Sequence, residues 1–384
     1  MGHIAKKTGI ITIVKVNNYG AELQAYALQK SLSIINYESE IIDYLFYKNP
    51  GHKRERISYP FFKFPLKRMI KERMEWLYVK IMHLIYQKRN AKRNRAFDSF
   101  HRNHTVFSEK TYGSYSMLYA NPPFYNVYCV GSDQVWNPYC YTSLFPYFLT
   151  FVPKGAKKIS YASSFGVSNI PKCALDTYKK CLDEFDHISV RENTGKMIVQ
   201  NLIGKDVPVV ADPTILISKE GWMEIAKTDK VPMQPYILIY MLKDSPFILK
   251  EAQRIAKSYG ACIVRIRKDC SGIKTKGGNI IDIWDAGPDD FLGLFSQARM
   301  VITNSFHGTV FSVIMKKDFC TVLPRENERN SRQKDFLHLL GLERNLFYEN
   351  DEINITATDY RTATEQLNKL RQNSIKQLIH DIEN

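Results

Sequence analysis

The sequence predicts an α/β protein of two Rossmann-like domains with a central cleft. Three observations carry this. Short apolar, β-branched runs alternate with helical patterns along the chain. The helical segments between them run roughly 10–15 residues, the spacing of parallel βαβ units with right-handed crossovers. At 384 residues the chain is also too long for one ordinary core and long enough to bury two.

GIITIVKV near the start is a strand-like run, VNNYGAE carries turn residues, and AELQAYALQKSL sets Leu23, Tyr26, Ala27 and Leu28 at helical spacing. SEIIDYLF (39–46) reads as a second strand. NVYCVGSDQVWN (126–137) and KKISYASSFG (157–166) each run from a strand into a polar, glycine-containing loop. The alternation reaches residue 217, then restarts at VPMQPYILIYML after the hydrophilic stretch KTDK. A boundary at 218–234 therefore separates an N-terminal domain, 1–217, from a C-terminal domain, 234–384. The second series comprises YILIYML, a helix over 246–259, ACIVRIR, NIIDIW, a helix over 289–297, MVITNS, a helix over 308–316 and DFCTVLP. A last amphipathic helix, 359–382, holds no Gly or Pro and is long enough to pack back on the first domain.

The net charge of +15, from 54 basic and 39 acidic residues, points to anionic partners. No nucleic-acid-binding motif is present, so no nucleic acid is expected among them. Segment 63–95 holds eleven Lys or Arg and two Glu, a balance of +9, with Met69, Ile70, Met74, Leu77, Ile81, Leu84 and Ile85 at helical spacing. It is either a core-facing helix with a solvated face or a basic amphipathic helix in peripheral contact with an anionic membrane. The seven cysteines are odd in number and lack a C-x-x-C pair, which argues against a disulfide framework and a zinc site. No His, Cys or carboxylate grouping has metal-ligand spacing, so no metal is expected. The start lacks a signal-peptide pattern, and no run approaches about 18 apolar residues. The expected location is the cytoplasm, free or peripheral at the inner face of the membrane.

The polar loops at the strand ends carry the candidate chemistry. In VITNSFHGTV (301–310), His307, Gly308 and Thr309 stand where a helix N-terminus favours a phosphate or carboxylate, and Gly308 permits close approach to the backbone. The competing reading makes Asn304 or Ser305 a helix cap and His307 a local hydrogen-bond partner. In CVGSDQVWNP (129–138), Ser132, Asp133, Gln134 and Trp136 combine hydroxyl, carboxylate, amide and indole. That set suits a sugar, unless Ser132 or Asp133 is a cap and Trp136 is core. Arg191, directly after the strand HISV, is either an anion clamp or half of a surface pair with Glu192. Asp212-Pro213-Thr214 reads as a turn with a cap. Neither a dinucleotide fingerprint nor a P-loop occurs.

Taken in order, NNYGAELQAYALQ, VGSDQVWNP, YASSFG, SVRE, DPTIL, DAGPDDFL and VITNSFHGTVFS resemble the polysaccharide pyruvyl transferase family. The resemblance implies a fold of two Rossmann-like domains similar to the GT-B glycosyltransferases. It implies transfer of the enolpyruvyl group of phosphoenolpyruvate (PEP) onto two hydroxyls of a hexose, galactose or an N-acetylhexosamine, in capsule or exopolysaccharide biosynthesis. PEP is then a co-substrate, no cofactor is needed, and the acceptor is a lipid-linked or nucleotide-linked sugar. His307 matches the family's PEP-site histidine and Arg191 its first PEP-binding arginine. His307 is assigned as the acid or phosphate-contacting catalytic residue, and Ser305, Gly308 and Thr309 complete the donor loop. On chemical grounds rather than from the resemblance, Asn18, Tyr19, Gly20, Ser132, Asp133, Gln134 and Trp136 form the acceptor set, with Asp133 catalytic. Several members carry Arg-x-His where this chain has Ser305-Phe306-His307, which leaves Arg325, Arg329 and Arg332 to supply the second cation. The competing functions are a nucleotide-sugar glycosyltransferase of the same fold and a non-catalytic glycan-binding subunit of polysaccharide assembly.

Overall fold

A computed structural model describes residues 7–47, 49–53, 55, 66–139, 144–267, 279–325, 331–354 and 356–384. The chain divides into two compact units. The first comprises Met1–Gln87, His101–Leu216 and Arg371–Asn384, the second Lys88–Phe100 and Ile217–Leu370.

The first unit contains β1 (Thr8–Ile11), α1 (Tyr19–Ile34), β2 (Ser39–Ile41), parts of α2 (Leu66–His104), α3 (Tyr115–Ala120), β3 (Val127–Val130) and β4 (Lys157–Ser163). It continues with α4 (Leu175–Asp183), β5 (His187–Val190), α5 (Asn193–Ile203) and α6 (Pro213–Leu216). Its five strands are all parallel in the order β2-β1-β3-β4-β5. Strand order reverses between β1 and β3, the place where open α/β sheets hold ligands beyond the strand carboxyl ends. The run GIITIVKV leaves the sheet after Ile11 because its neighbour β3 ends opposite, at Val130. Lys15 and Asn17 then take left-handed backbone angles, φ 56° and 52°, on the way to α1.

The second unit contains α7 (Lys219–Met223), β6 (Tyr236–Tyr240), α8 (Pro246–Tyr259), β7 (Cys262–Ile266), β8 (Ile280–Ile283), α9 (Pro288–Gln297) and β9 (Met300–Thr303). It continues with α10 (Phe306–Ile314), β10 (Asp318–Leu323), α11 (Ser331–Leu339), β11 (Leu346–Tyr348) and the start of α12 (Arg361–Glu383). Six parallel strands run β11-β10-β9-β6-β7-β8. Three fan out on each side of a switch point between β6 and β9, the Rossmann arrangement. Every residue of β6, β7 and β9 is buried, as expected where helices cover both faces of a parallel sheet.

The helix ends follow local chemistry. α8 starts with Ser245 accepting from the Ile248 N–H and Pro246 in the first turn, and stops at Gly260 with φ 58°. α10 starts at Phe306, two residues before the periodicity suggests, because Ser305 caps it. α2 outruns its basic segment because Phe97 and Phe100, both fully buried, extend its apolar pattern. In segment 63–95 Ile70, Met74, Leu77, Tyr78, Ile81, Leu84 and Ile85 are exposed, and Met82 is half-buried. That corrects the core-facing reading of this stretch. Residues 371–384 of α12 belong to the first unit, where Ser374 Oγ accepts from the Ala211 N–H at 2.9 Å and Arg371 Nε donates to the Ile215 carbonyl at 2.7 Å.

Candidate active site

In the first unit the β3 loop begins at the switch point. Thr12 Oγ1 donates to the Ser132 carbonyl at 2.9 Å, and a Cβ on Gly131 would stand 3.0 Å from the Thr12 Cβ. The two loops therefore touch, and glycine is what lets them. Asp133 follows in the left-handed region, φ 69°. Its carbonyl accepts from the Ser164 N–H at 3.0 Å. Fixing the backbone there fixes where the carboxylate starts.

Arg191, one residue past β5, faces three carboxylates. Nη1 donates to Asp212 Oδ2 at 2.9 Å, Nε stands 3.5 Å from Glu192 Oε2, and Nη2 stands 3.8 Å from Asp133 Oδ1. Ser132 Oγ donates to Asp212 Oδ2 at 3.2 Å, and Ser164 Oγ to Glu192 Oε1 at 2.6 Å. Burial pushes the guanidinium down, and Asp212, Glu192 and Asp133 outweigh it, leaving its pKa raised. One guanidinium thus stands among three carboxyl groups. The Arg191 and Asp212 side chains are 2% and 0% exposed, whereas Asp133 is 19% exposed. Asp133 is thus the accessible end of a buried ionic cluster.

Several expectations change here. Arg191 is not half of a surface pair: its guanidinium is 2% exposed and turned to Asp212, Glu192 and Asp133, which counts against its reading as an open anion clamp. Trp136 is fully buried, stacked on Phe148 with centroids 5.7 Å apart and donating from Nε1 to the Tyr147 carbonyl at 2.8 Å. It is a core residue and no sugar can stack on it. Ser132 is fully buried within the ionic cluster, so it orients Asp212 rather than meeting an acceptor. Tyr19 is 1% exposed and Gly20 is buried, and Asn18 Oδ1 accepts from the Gly20 and Ala21 N–H groups as the α1 cap. These three build the helix start. Gln134 is partly exposed and accepts from Asn137 Nδ2 at 2.8 Å, so it stays beside Asp133 as an accessible polar group.

In the second unit Thr303 Oγ1 donates to the Tyr240 carbonyl at 2.6 Å, pinning β9 to β6 at their switch point. Asn304 ties the loops beyond them, accepting from the Leu242 N–H at 2.9 Å and donating to the Lys243 carbonyl at 2.7 Å. Ser305 Oγ accepts from the Gly308 N–H at 3.3 Å. Thr309 Oγ1 donates to the Ser305 carbonyl at 3.1 Å and pairs with Thr321 Oγ1 at 2.8 Å. A Cβ on Gly308 would lie 2.2 Å from Thr303 Oγ1, so this glycine serves the approach of helix to strand, not that of a ligand to backbone. Ser305 and Thr309 are 1% and 0% exposed. Their hydroxyls, and the Gly308 N–H, are engaged in the fold, which corrects their reading as donor ligands.

His307 is 8% exposed in the first turn of α10, edge-on to Phe306 at 5.3 Å. Arg332 stands 5.8 Å over the Phe306 ring. Arg325 instead pairs with Asp351 and lies 5.5 Å over Tyr348. Arg329 lies outside the described residues. Lys243, exposed just past β6, went unnoticed in the sequence although a lysine directly beyond a strand is the available signal.

A group outside these loops also escaped the sequence. His187 at the start of β5 and His380 and Asp381 on α12 offer ligand atoms within 4.8 Å of one another. The chain between them hides the grouping. Among the described residues no helix is long and apolar enough to cross a membrane, and all five described cysteines are free.

The polysaccharide pyruvyl transferase family model matches residues 18–325. The chain belongs to that family. The matched span of this pyruvyl transferase family member includes the Asp133 loop, Arg191, Asp212 and His307. No curated protein matches the chain. Among solved structures, a candidate UDP-N-acetylglucosamine 2-epimerase from Listeria monocytogenes is 11% identical, covering 98% of this chain and 91% of its own, with a TM-score of 0.51. The UDP-N-acetylglucosamine 2-epimerase of Rickettsia bellii is also 11% identical, covering 99% and 96%, with a TM-score of 0.51. At that identity the likeness speaks for the fold alone: two parallel-sheet, Rossmann-like units of the GT-B kind.

Proposed function

We propose that this transferase moves the enolpyruvyl group of PEP onto two hydroxyls of a hexose, galactose or an N-acetylhexosamine. The product is a pyruvate ketal in a lipid-linked or nucleotide-linked precursor of a capsule or exopolysaccharide, made in the cytoplasm. The observation that carries this reading is the family match over 18–325, which takes in the loops at both switch points.

The chemistry divides between the two loop sets. The reaction needs an acid that gives a proton to C3 of PEP, for which His307 of the second unit is the candidate, and a base that takes the proton of the sugar hydroxyl adding to C2, for which Asp133 of the first unit is the candidate. The bond from C2 to the phosphate oxygen then breaks, and the second hydroxyl adds to the resulting oxocarbenium, releasing its own proton. Two hydroxyl protons are lost in all. One is balanced by the new methyl group, the other leaves with phosphate. The carboxyl-rich cluster of the first unit suits a polyol acceptor and a base better than an anionic donor. Arg191 acts there as a positioning residue for Asp133. In the second unit the start of α10 supplies its dipole, and Arg332 and Lys243 supply cations for phosphate and carboxylate. PEP enters as co-substrate, and this chemistry asks for no cofactor.

The test incubates the full chain with PEP and a lipid-linked galactosyl acceptor and follows phosphate release together with a pyruvyl mass gain. Both signals, lost in His307→Ala and Asp133→Asn, support the reading. Ser305, standing where several members of the family carry Arg, keeps open one competitor, a non-catalytic glycan-binding subunit. Glycan binding without either reaction would indicate that subunit, and sugar transfer from a UDP-sugar with no turnover of PEP would establish a nucleotide-sugar glycosyltransferase instead.

A further inference from the structure

The most conspicuous surface outside the loops is on α2. Between Ile70 and Ile85 the residues Met74, Leu77, Tyr78, Ile81 and Leu84 complete a stripe, each 45–69% exposed. At helical spacing the seven fall within about 120° of the helix circumference. An apolar stripe of that size turned to water is a surface awaiting a partner. Lys71 borders it on one side and Arg73 and Lys80 on the other, all exposed.

From this we infer that residues 70–87 of α2 dock on an anionic lipid surface, the apolar stripe entering the acyl boundary and the basic flanks meeting headgroup phosphates. Charge complementarity selects this occupant. Residues 70–87 carry Lys71, Arg73 and Lys80 against Glu72 and Glu75, a balance of +1, and the stretches 63–69 and 88–95 on either side raise the segment to +9. A second copy laid along the stripe would therefore bring like charges together, whereas anionic headgroups attract each basic residue. The docking is peripheral, since no helix among the described residues is apolar enough to cross a bilayer. This inference concerns binding only and does not rest on the reaction proposed above. Its test contains no substrate, so the two can fail separately.

The experiment floats the full chain with vesicles of phosphatidylcholine alone or mixed with phosphatidylglycerol. Two variants accompany it, Leu77→Glu with Leu84→Glu, and Lys71→Ser with Arg73→Ser and Lys80→Ser. All five positions are exposed, so circular dichroism should be unchanged. Expected is binding to the anionic vesicles only, weakening as salt rises past about 0.1 M. The triple charge variant should bind about a hundredfold more weakly, at about tenfold or less per basic residue, and the glutamate variant should not bind. Equal binding to neutral vesicles, or none to anionic ones, overturns the inference. So does a dimer in light scattering that the Leu77→Glu, Leu84→Glu variant dissociates, because the stripe would then belong to a second copy.

Discussion

Arg191 donates from Nη1 to Asp212 Oδ2 at 2.9 Å, with neither side chain more than 2% exposed. An ion pair at that depth makes poor energetic sense as a stabiliser alone, because desolvation consumes much of what the attraction returns. Its value here is geometric. The same guanidinium reaches toward Asp133, so a cation held rigidly by one carboxylate sets the field at another.

Arg191→Met is therefore expected to cost about 3–5 kcal/mol in urea unfolding, since it strands buried carboxylates without a counter-ion. Arg191→Lys keeps the charge and loses the fork. If Arg191 positions Asp133, this variant should retain measurable turnover while the acid limb of its pH profile moves upward, the base being less favoured as an anion. An unmoved limb would leave Arg191 with a purely structural role.

Asp133→Asn should fold normally, because asparagine tolerates the left-handed backbone at φ 69°, and should lose about 10²–10⁴ in turnover if the carboxylate is the base. Unaltered turnover with the folded variant would assign the proton transfer elsewhere.

The donor loop offers a separation of fold from chemistry. Ser305→Ala removes the α10 cap and is expected to cost about 1 kcal/mol in thermal or urea unfolding, with the KM for PEP unchanged because the hydroxyl is spent on Gly308. Gly308→Ala drives a methyl into Thr303 Oγ1 and should cost about 1–3 kcal/mol. A large rise in KM from the serine variant would restore Ser305 to the ligand set.

Asp381 makes a pH prediction. Burial raises its carboxyl pKa, opposed by the Gln377 hydrogen bond and by His187, His380 and Lys157. A folded pKa above the unfolded value means that its contribution is fully present below the unfolded pKa, around 4, and is lost as pH rises through the folded one. Asp381→Asn should accordingly match the parent in melting temperature at pH 3 and exceed it at pH 7. Equal melting temperatures at pH 7 would mean that the neighbouring cations offset the burial.

The strands and most helices were legible because buried parallel strands write continuous apolar runs, and helices such as α8 carry their caps in the sequence. β11 was not, since three residues at a sheet edge are too short for any period. The loops were legible as loops, yet individual roles within them were not. Trp136 looks like a sugar platform until the rings around it are known, and Ser305 and Thr309 look like ligands until their hydroxyls are seen bonded to their own backbone. Arg191 reads as an anion clamp because its partner Asp212 lies across the sheet edge rather than nearby in the chain. His187 meets the neighbours His380 and Asp381 in the same way, from far along the chain. Long-range pairing is what local spacing does not encode.

The left-handed backbone at Asp133 has one more consequence. Few side chains sit comfortably at such a corner, with aspartate, asparagine and glycine foremost among them. Drift at this position is thereby channelled into a narrow choice, in which the nearest alternative keeps the shape and discards the charge. If Asp133 is the base, reading this one residue across related chains should sort those able to draw a proton from a hydroxyl from those that only hold the sugar.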